Sequence, residues 1–319
     1  MRNILVTGGA GFIGSHVVER LLSDGFTVTA VDNFDPFYAP RIKRKSIEAH
    51  LAHPAYKLLE LDICDYDKLH RELDEPYCAI VHLAAKAGVR PSIQNPMLYQ
   101  SVNVQGTQNL LELAKERGIE LVVFASSSSV YGVNPNRPWR EDDHVLLPIS
   151  PYASTKVSSE LLGHVYSHLY DIRFIALRLF TVYGPRQRPD LAIHKFARLM
   201  LENRPIPVYG DGSSRRDYTY IDDIVRGIRA AIDYRKSRYE VINLGNNTTV
   251  SLAELIETLE SVLGTEAKRE FLPEQPGDVS QTYADTTKSK ELLGFRPKTE
   301  LSSGVRTFAE WLLRDVAAA

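Results

Sequence analysis

The stretch VTGGAGFIGSH, from Val6 to His16, decides the fold. Three of its glycines, Gly8, Gly11 and Gly14, have the spacing GxxGxxG between the apolar run RNILVTG and the helical pattern SHVVERLLSDG. Glycine lets the backbone turn sharply and approach a pyrophosphate, which the free N–H groups of a helix N-terminus can bind. In this strand–turn–helix context the spacing predicts a dinucleotide site, and glycines used only for a tight turn are the alternative.

The next apolar run, TVTAVDN, ends in Asp32, which predicts the identity of the nucleotide. An acid there accepts hydrogen bonds from the adenosine ribose diol and repels a 2′-phosphate, so NAD is favoured over NADP. Arg41, Lys43, Arg44 and Lys45 follow, and we expect them to form a solvated face. Asp62 stands at the end of LLELD, and two roles are open for it: it contacts the adenine amino group, or it caps the end of the strand.

Short apolar runs alternate with amphipathic segments through the first half of the chain. Strands of this continuously apolar kind, separated by helices, indicate a parallel sheet covered on both faces. Past Phe180, turn formers and arginines interrupt the alternation, until DYTYIDDIVRGIRAAIDY and YEVINLG resume it. We predict an α/β fold with a Rossmann-like, doubly wound parallel sheet and a smaller, mostly helical C-terminal lobe. The expected boundaries are residues 1–180 plus about 217–250 for the NAD-binding domain, and about 181–216 plus 251–319 for the substrate lobe.

The composition of the 319 residues is that of an ordinary globular protein and excludes some partners. Lys+Arg 38 against Asp+Glu 40 gives a net charge of −2, without the surplus of cations that nucleic-acid binding needs. Cys64 and Cys78 have no CxxC or histidine-rich surroundings, so we expect free thiols in a reducing compartment and no metal site. The glycine-containing start is too short to span a bilayer, and we expect a cytoplasmic protein without membrane contact.

A second motif, ISPYASTKVSSELLGHVY, places Tyr152 and Lys156 four residues apart on one face of a predicted helix. Oxidation of an alcohol beside NAD⁺ needs a base, and a phenol with a reference pKa of about 10 is a poor one at neutral pH. A nearby ammonium, together with the positive nicotinamide, favours the phenolate. We therefore expect Lys156 to make Tyr152 more acidic, and one of the hydroxyls of Ser126 to Ser129 to bind the reacting oxygen.

Further motifs occur in a fixed order along the chain: HLAA from His82 to Ala85, N-V-x-G-T from Asn103 to Thr107, SSSSVYG and RRDYTYIDD. With the glycine turn and the Tyr–Lys pair, they resemble an extended short-chain dehydrogenase/reductase. More narrowly, the chain resembles the NAD-dependent nucleotide-sugar epimerases, and FTVYGPRQRPD and DNFDPFYAPRIKR most resemble UDP-glucuronate 4-epimerases. The resemblance covers nearly the whole chain.

The resemblance implies a catalytic triad of Ser127, Tyr152 and Lys156, with Tyr152 as base and bound NAD⁺ as hydride acceptor and donor. It also implies a homodimer, formed by pairing the helices of NVQGTQNLLELAKERG and YASTKVSSELLGHVYSHLYD across a two-fold axis; burial within the monomer is the alternative. The implied cofactor-binding residues are Gly8, Gly11, Phe12, Ile13, Gly14, Asp32, Asn33, Asp62, Ile63, Leu83, Ala84, Ala85, Tyr152 and Lys156.

Within this family, the two residues before VYG distinguish the reactions. Sugar 4,6-dehydratases carry Asp-Glu there and UDP-glucuronate decarboxylases carry Glu second, whereas this chain has Ser128 and Ser129. The resemblance thus leaves plain 4-epimerisation, an isomerase reaction through a 4-keto sugar. Thr181, where most relatives have asparagine, and Arg90 complete a ring of donors that suits a carboxylate. The expected reaction converts UDP-glucuronate to UDP-galacturonate.

The UDP group is expected to be held by Arg188 and Arg216 at the diphosphate and by Asp278 at the uridine ribose, although each could instead be a surface charge. Three other functions remain open: a UDP-glucose or other UDP-sugar 4-epimerase, a non-catalytic nucleotide sensor, and a dehydrogenase that releases its cofactor. The expected substrate-binding residues are Arg90, Ser127, Ser128, Ser129, Tyr152, Thr181, Arg188, Arg216 and Asp278.

Overall fold

The computed structural model describes residues 2–143, 147–275 and 277–317. Its strands are β1 (Asn3–Thr7), β2 (Thr27–Val31), β3 (Tyr56–Leu59), β4 (Ala79–His82), β5 (Leu121–Ser127), β6 (Arg173–Leu179), β7 (Thr181–Tyr183), β8 (Ile206–Tyr209), β9 (Arg215–Arg216), β10 (Tyr218–Tyr220), β11 (Tyr239–Leu244), β12 (Val250–Ser251) and β13 (Arg269–Leu272). The helices are α1 (Phe12–Ser23), α2 (Pro40–Ile47), α3 (Tyr66–Glu72), α4 (Val89–Gln94), α5 (Pro96–Tyr99), α6 (Gly106–Arg117), α7 (Pro151–Tyr170), α8 (Ala192–Leu201), α9 (Ile221–Asp233), α10 (Leu252–Leu263), α11 (Thr287–Leu293) and α12 (Leu301–Ala317).

Seven parallel strands form the central sheet in the order β11-β6-β5-β4-β1-β2-β3. The strand order changes direction between β1 and β4, and ligands of such sheets bind at the carboxyl ends of the strands at this point. The predicted doubly wound parallel sheet is therefore confirmed. Its switch point lies beside the glycine turn, which follows β1 directly.

Alternate residues of the strands pack into two hydrophobic clusters, one on each face of the sheet. Ile4 and Val6 of β1 belong to one cluster, and Leu5 between them belongs to the other. Because both faces are covered, the strands are apolar at nearly every position, as the sequence pattern predicts. The first cluster also includes apolar residues of α8, α10 and α12, so the C-terminal segments pack onto the same core as the sheet.

The turn-rich region after Phe180 contains strands that the sequence does not predict. Three two-stranded sheets lie outside the main sheet: β7 with β10 and β8 with β13 are parallel, and β9 with β12 is antiparallel. Each pairs segments that are far apart in the chain. The division into two domains stays a prediction, and its outer limits at residues 1 and 319 lie outside the described residues.

Two local features prepare the site. Ser150 caps α7 by accepting a hydrogen bond from the Ala153 N–H, and Pro151 occupies the first turn, so that Tyr152 stands at the start of the helix. A π-helical turn at Gln100–Gln105 precedes α6, where an uninterrupted helix is expected. Within the described ranges, none of the helices combines the length and apolarity that a membrane span needs.

Candidate active site

A cavity of about 490 Å³ opens at the carboxyl ends of β1, β2, β4 and β5. Every residue that the sequence assigns to the cofactor lines it, from the glycine turn to Tyr152 and Lys156. Two of the predicted triad members enter from α7, and Ser127 enters from the end of β5. The structure thus brings the predicted nucleotide end and the predicted reacting end into one cleft.

The glycine turn leaves no room for side chains. Gly8 has a φ of +69°, and a Cβ added there would lie 2.7 Å from the Ala84 backbone nitrogen. A Cβ on Gly14 would lie 2.0 Å from the Gly8 oxygen, so the first turn of α1 packs directly on the loop. Gly11 is the N-cap of α1 and has no side chain to cap it, which leaves the first N–H groups available to an anion. This cradle fits a pyrophosphate.

Asp32 is buried at the end of β2, 6% exposed, and is already engaged by the chain. It accepts hydrogen bonds from the backbone N–H groups of Ala10 (3.1 Å) and Phe34 (2.9 Å). Lys43 Nζ lies 3.3 Å from Asp32 Oδ1 and 5.3 Å from the centre of the Tyr38 ring. The expectation of a solvated face is therefore wrong for Lys43, which is buried because this side of α2 packs over Asp32.

Asp62 caps the end of its strand and also lines the cavity. Its two carboxylate oxygens accept hydrogen bonds from the Cys64 N–H at 2.8 Å and from Asn33 Nδ2 at 3.0 Å. Burial acts to raise the pKa of Asp62, but these hydrogen bonds outweigh it and lower the pKa. The carboxylate is thus held ionised beside Asn33 at the adenosine end of the cleft.

At the reacting end, Lys156 is held by the neighbouring strand. Its Nζ donates to the backbone oxygen of Ala125 at 2.6 Å and lies 5.9 Å from the centre of the Tyr152 ring. Tyr99 packs edge-on against Tyr152, with ring centres 6.3 Å apart. Lys156 is only 3% exposed, whereas Tyr152 is half-buried at the cavity wall.

Burial sets the protonation states of this pair. It raises the pKa of Tyr152, although a hydrogen bond to Ser127 and the charge of Arg188 act to lower it. Burial also lowers the pKa of Lys156 to about 7, against the opposing effect of Glu160. The protein's own groups therefore leave the phenol less acidic than in water, because loss of hydration outweighs the nearby charges.

The predicted substrate hydroxyls lie where two cavities meet. Ser128, Ser129 and Thr181 line both the main cavity and a smaller one of about 140 Å³ beside it. Arg216 and Asp278 line the smaller cavity, opposite the cofactor end. Segments that are distant in the chain thus line two adjoining cavities that share these three hydroxyls.

The charged groups of the substrate end pair with one another. Arg90 Nη2 donates to Asp278 Oδ2 at 2.6 Å, and its guanidinium carbon lies 4.4 Å from the centre of the Tyr209 ring. Arg90 lines neither cavity, whereas Arg188 lines the main one, where Asp190 accepts two hydrogen bonds from it at 3.0 and 2.7 Å. The expected place of Arg90 in the donor ring is therefore not what the structure shows, because its side chain is turned toward Asp278.

A model of the family described as GDP-mannose 4,6-dehydratase matches residues 5–308. The chain belongs to this family. UDP-glucuronate 4-epimerase from Thermodesulfobacterium geofontis is 43% identical over 316 residues, which are 98% of this chain and 96% of that protein. The structure of UDP-glucuronic acid 4-epimerase from Bacillus cereus, in complex with UDP-glucuronic acid and NAD, matches with a TM-score of 0.91 and 38% identity, over 98% of this chain and 99% of that one. UDP-glucose 4-epimerase from Thermotoga maritima with UDP-glucose matches with a TM-score of 0.90 and 32% identity over the same shares.

These similarities confirm the predicted resemblance to the NAD-dependent nucleotide-sugar epimerases, and most of all to UDP-glucuronate 4-epimerases. The predicted cofactor, NAD, is bound in the Bacillus cereus structure, and the glycine cradle and Asp32 of this family member fit it.

Several site residues of this family member have no predicted role. Asn103, in the π-helical turn, exchanges hydrogen bonds with the backbone of Lys86 and donates to Thr155, which ties the loop after β4 to α7. Lys86 forms a 2.6 Å ion pair with Asp35 at the cavity wall. The N-V-x-G-T motif was a signal for Asn103, but nothing local in the sequence indicates which groups meet across the cleft.

Proposed function

We propose that this protein is an NAD-dependent UDP-glucuronate 4-epimerase, which interconverts UDP-glucuronate and UDP-galacturonate through a transient 4-keto sugar. The observation that carries the proposal is the junction of the two cavities, where Ser128, Ser129 and Thr181 present hydroxyls and no carboxyl group. A dehydratase or decarboxylase of this family has an acid at one or both serine positions. The relatives from Thermodesulfobacterium geofontis and Bacillus cereus support the choice of uronate.

The glycine cradle would hold the cofactor at its pyrophosphate, and Asp32 would hold it at its adenosine ribose. When bound, NAD⁺ supplies the acceptor and later the donor of the hydride at C4 of the sugar, together with a positive charge near Tyr152. Tyr152, which interacts with Ser127, would act as the base that takes the proton of the sugar O4 and returns it when the 4-keto group is reduced. Because burial raises the pKa of Tyr152, the base depends on Ser127 and Arg188, which act to lower that pKa.

The hydroxyls of Ser128, Ser129 and Thr181 form a ring that gives the carboxylate of the substrate a fixed orientation. A 4-keto uronate is a β-keto acid, which loses CO₂ when its C5–C6 bond lines up with the carbonyl π system. Charge-assisted hydrogen bonds from Ser128 and Thr181 hold the carboxylate away from that alignment. The product is then released without loss of CO₂ because the carboxylate is held out of alignment with the carbonyl π system. No acid–base group at residues 128 and 129 is needed.

The diphosphate is held by two cations on opposite sides of the junction. Arg188 faces it from the main cavity and Arg216 from the smaller one. Asp278 lies beside Arg216 and is placed to accept from the uridine ribose once Arg90 releases it. Arg90 is then free to approach the sugar from α4.

The test is incubation of the purified protein with UDP-glucuronate without added NAD, with separation of uronates and pentoses by chromatography. The expected product is UDP-galacturonate with little UDP-pentose. Turnover under these conditions also excludes a non-catalytic sensor and a dehydrogenase that releases its cofactor. Conversion of UDP-glucose but not of UDP-glucuronate would refute the proposal.

The second candidate is a UDP-glucose 4-epimerase, and one observation favours it. The ion pair of Arg90 with Asp278 leaves the sugar end of the main cavity without a cation from α4, as a neutral sugar requires. The Thermotoga maritima enzyme shows that this fold binds UDP-glucose. Side-by-side assays of the two UDP-sugars at equal concentration separate the candidates.

We further propose that the protein works as a homodimer in the reducing cytoplasm. Leu161, Val165 and Leu169 form a stripe along α7 and are 59%, 45% and 60% exposed. A second copy of the chain would cover this stripe by a two-fold pairing of helices. Cys64 and Cys78 are free thiols, as a reducing compartment keeps them. Light scattering on the wild type and on Val165→Glu tests the dimer.

A further inference from the structure

A buried ion pair lies directly behind the triad. Arg178 of β6 donates to both carboxylate oxygens of Glu160, from Nε at 3.0 Å and from Nη2 at 2.8 Å. Both side chains are 4% exposed. The guanidinium carbon of Arg178 also lies 4.7 Å from the centre of the Tyr131 ring, so the arginine is fixed on two sides. Bidentate pairs of this kind hold a carboxylate in one orientation.

The carboxylate of Glu160 reaches the strand that carries Ser127. Ser126 Oγ donates to Glu160 Oε1 at 2.5 Å, and one helical turn earlier Lys156 Nζ donates to the Ala125 oxygen at 2.6 Å. Helix α7 therefore holds two consecutive residues of β5 immediately before Ser127. The ion pair with Arg178 fixes the Glu160 carboxylate and thereby the position of its hydrogen bond with Ser126.

We propose that Glu160, fixed by Arg178, is a positioning residue of the proposed reaction: its carboxylate holds the end of β5 that carries Ser127 and presents a negative charge one helical turn from Lys156. The inference rests on the proposed function for its catalytic consequence. Its electrostatic part concerns Lys156 alone and can be measured without any substrate.

The groups around Lys156 give the direction of the effect. On its own helix it faces Tyr152 and Glu160; from β4 it faces His82, whose pKa burial lowers to about 3, so this ring is neutral. Phe124 of β5 lies 4.7 Å from Nζ, and Arg178 of β6 is turned to Glu160. Burial lowers the pKa of Lys156 to about 7, and Glu160 is the group that raises it.

Removal of the Glu160 charge should therefore lower the pKa of Lys156 further. The ammonium is present below this pKa and lost as the pH rises through it. A lower pKa moves the loss of activity on the alkaline side to lower pH. An opposite charge within a few ångströms shifts a pKa by about one to three units, so the change should be easy to measure.

The experiment compares wild type with Glu160→Gln in the NAD-loaded protein. It uses the pH dependence of kcat on whichever UDP-sugar the wild type converts, and an NMR titration of lysine side chains labelled with ¹³C and ¹⁵N, with Lys156 assigned through Lys156→Met. We expect the pH at which kcat is half lost on the alkaline side and the midpoint of the Lys156 titration both to fall by about one pH unit or more. KM should stay within about threefold of the wild-type value. Glu160→Asp, which keeps the charge, should restore most of the shift.

The matched control is Glu257→Gln, which removes the same charge from an exposed position of α10. It should leave the alkaline loss of kcat and the midpoint of the Lys156 titration at their wild-type pH values. Should Glu160→Gln fail to fold, the double variant Glu160→Met/Arg178→Met removes both buried charges, a replacement that proteins often tolerate. A downward shift smaller than that of Glu160→Gln is expected, because the positive charge of Arg178, which opposes the effect of Glu160 on Lys156, is removed as well.

An unchanged Lys156 midpoint in a folded variant would overturn the inference. A shifted midpoint with an unchanged pH profile of kcat would also overturn it, because the positioning role would then have no catalytic effect. Failure of the wild type to convert any UDP-sugar would instead count against the proposed function, and the NMR titration would still decide whether Glu160 controls Lys156.

Discussion

The two ends of the cleft are built in different ways. At the cofactor end, the glycine turn and Asp32 come from one continuous β–α–β segment, and their geometry follows from backbone packing. At the substrate end, Arg90, Thr181 and Asp278 come from distant segments, and the charges of Arg90 and Asp278 are satisfied by each other. A local motif therefore specifies a rigid site, whereas a site assembled across the fold can rearrange when a ligand arrives.

The largest expected effect lies where the two ends meet, at Tyr152→Phe. The variant loses the base but keeps the ring that packs against Tyr99. We expect kcat to fall about 10³-fold, in line with removal of a general base, with bound NAD unchanged. Steady-state assays and the NAD content of the purified protein measure both. Tyr170→Phe on the exposed surface of α7 is the control, and full activity of Tyr152→Phe would refute the mechanism.

Gly14→Ala tests the rigidity of the cofactor end. The added Cβ would lie 2.0 Å from the Gly8 oxygen, and neither backbone can move away without opening the turn. We expect affinity for NAD to fall about 100-fold or more, which corresponds to about 2.7 kcal/mol. Calorimetric titration with NAD measures the loss.

The control for this change is Gly264→Ala, at the C-terminal end of α10. Gly264 has a φ of +65°, but a Cβ there would meet no heavy atom within 4 Å. We expect a loss of about 1 kcal/mol in stability and no change in NAD affinity. Equal NAD affinity in the two variants would mean that the cradle does not bind the pyrophosphate.

The same contrast describes how far the sequence could predict the molecule. The sheet, the glycine turn and the placement of Tyr152 and Lys156 on one helical face follow from local patterns, because strand and helix periodicity and the turn are determined by neighbouring residues. The burial of Lys43 and the pairing of Arg178 with Glu160 depend on contacts between elements, and no local pattern indicates them. The spacing of Glu160 from Lys156 was one available signal, since residues four apart share a helical face.

The small sheets after Phe180 also depend on contacts between distant segments, so the sequence does not predict them. Strands of two to four residues, such as β9 and β12, carry too little periodicity to be predicted, and they form only because distant segments meet. The burial of Tyr152 is likewise a property of the whole fold. Sequence spacing shows that a cation is near, but the effect of burial depends on how much of the fold covers the pair.

At the substrate end, Thr181→Ala should have an intermediate effect. It removes one hydroxyl from the ring that holds the carboxylate, and a hydrogen bond to a charged group contributes about 1.5–3 kcal/mol. We expect KM for UDP-glucuronate to rise about tenfold and UDP-pentose to appear among the products, while KM for UDP-glucose changes little. Product analysis by mass spectrometry measures the branching. Unchanged affinity with no pentose would exclude the carboxylate role of Thr181.

The smallest effect is expected for Asp278→Asn, and it defines how adjustable the substrate end is. Arg90 and Asp278 are 41% and 34% exposed, and such ion pairs contribute about 0–1 kcal/mol, so the unfolding temperature should not change measurably. Asparagine keeps an acceptor for a ribose hydroxyl and releases Arg90, two changes that oppose each other in binding. We expect KM for the UDP-sugar to rise about threefold with kcat unchanged. A change of this size lies within the free energy that one exposed ion pair contributes. A rise of more than about thirtyfold would show that this pair is as rigidly specified as the glycine cradle, because only a fixed contact can contribute about 2 kcal/mol to binding.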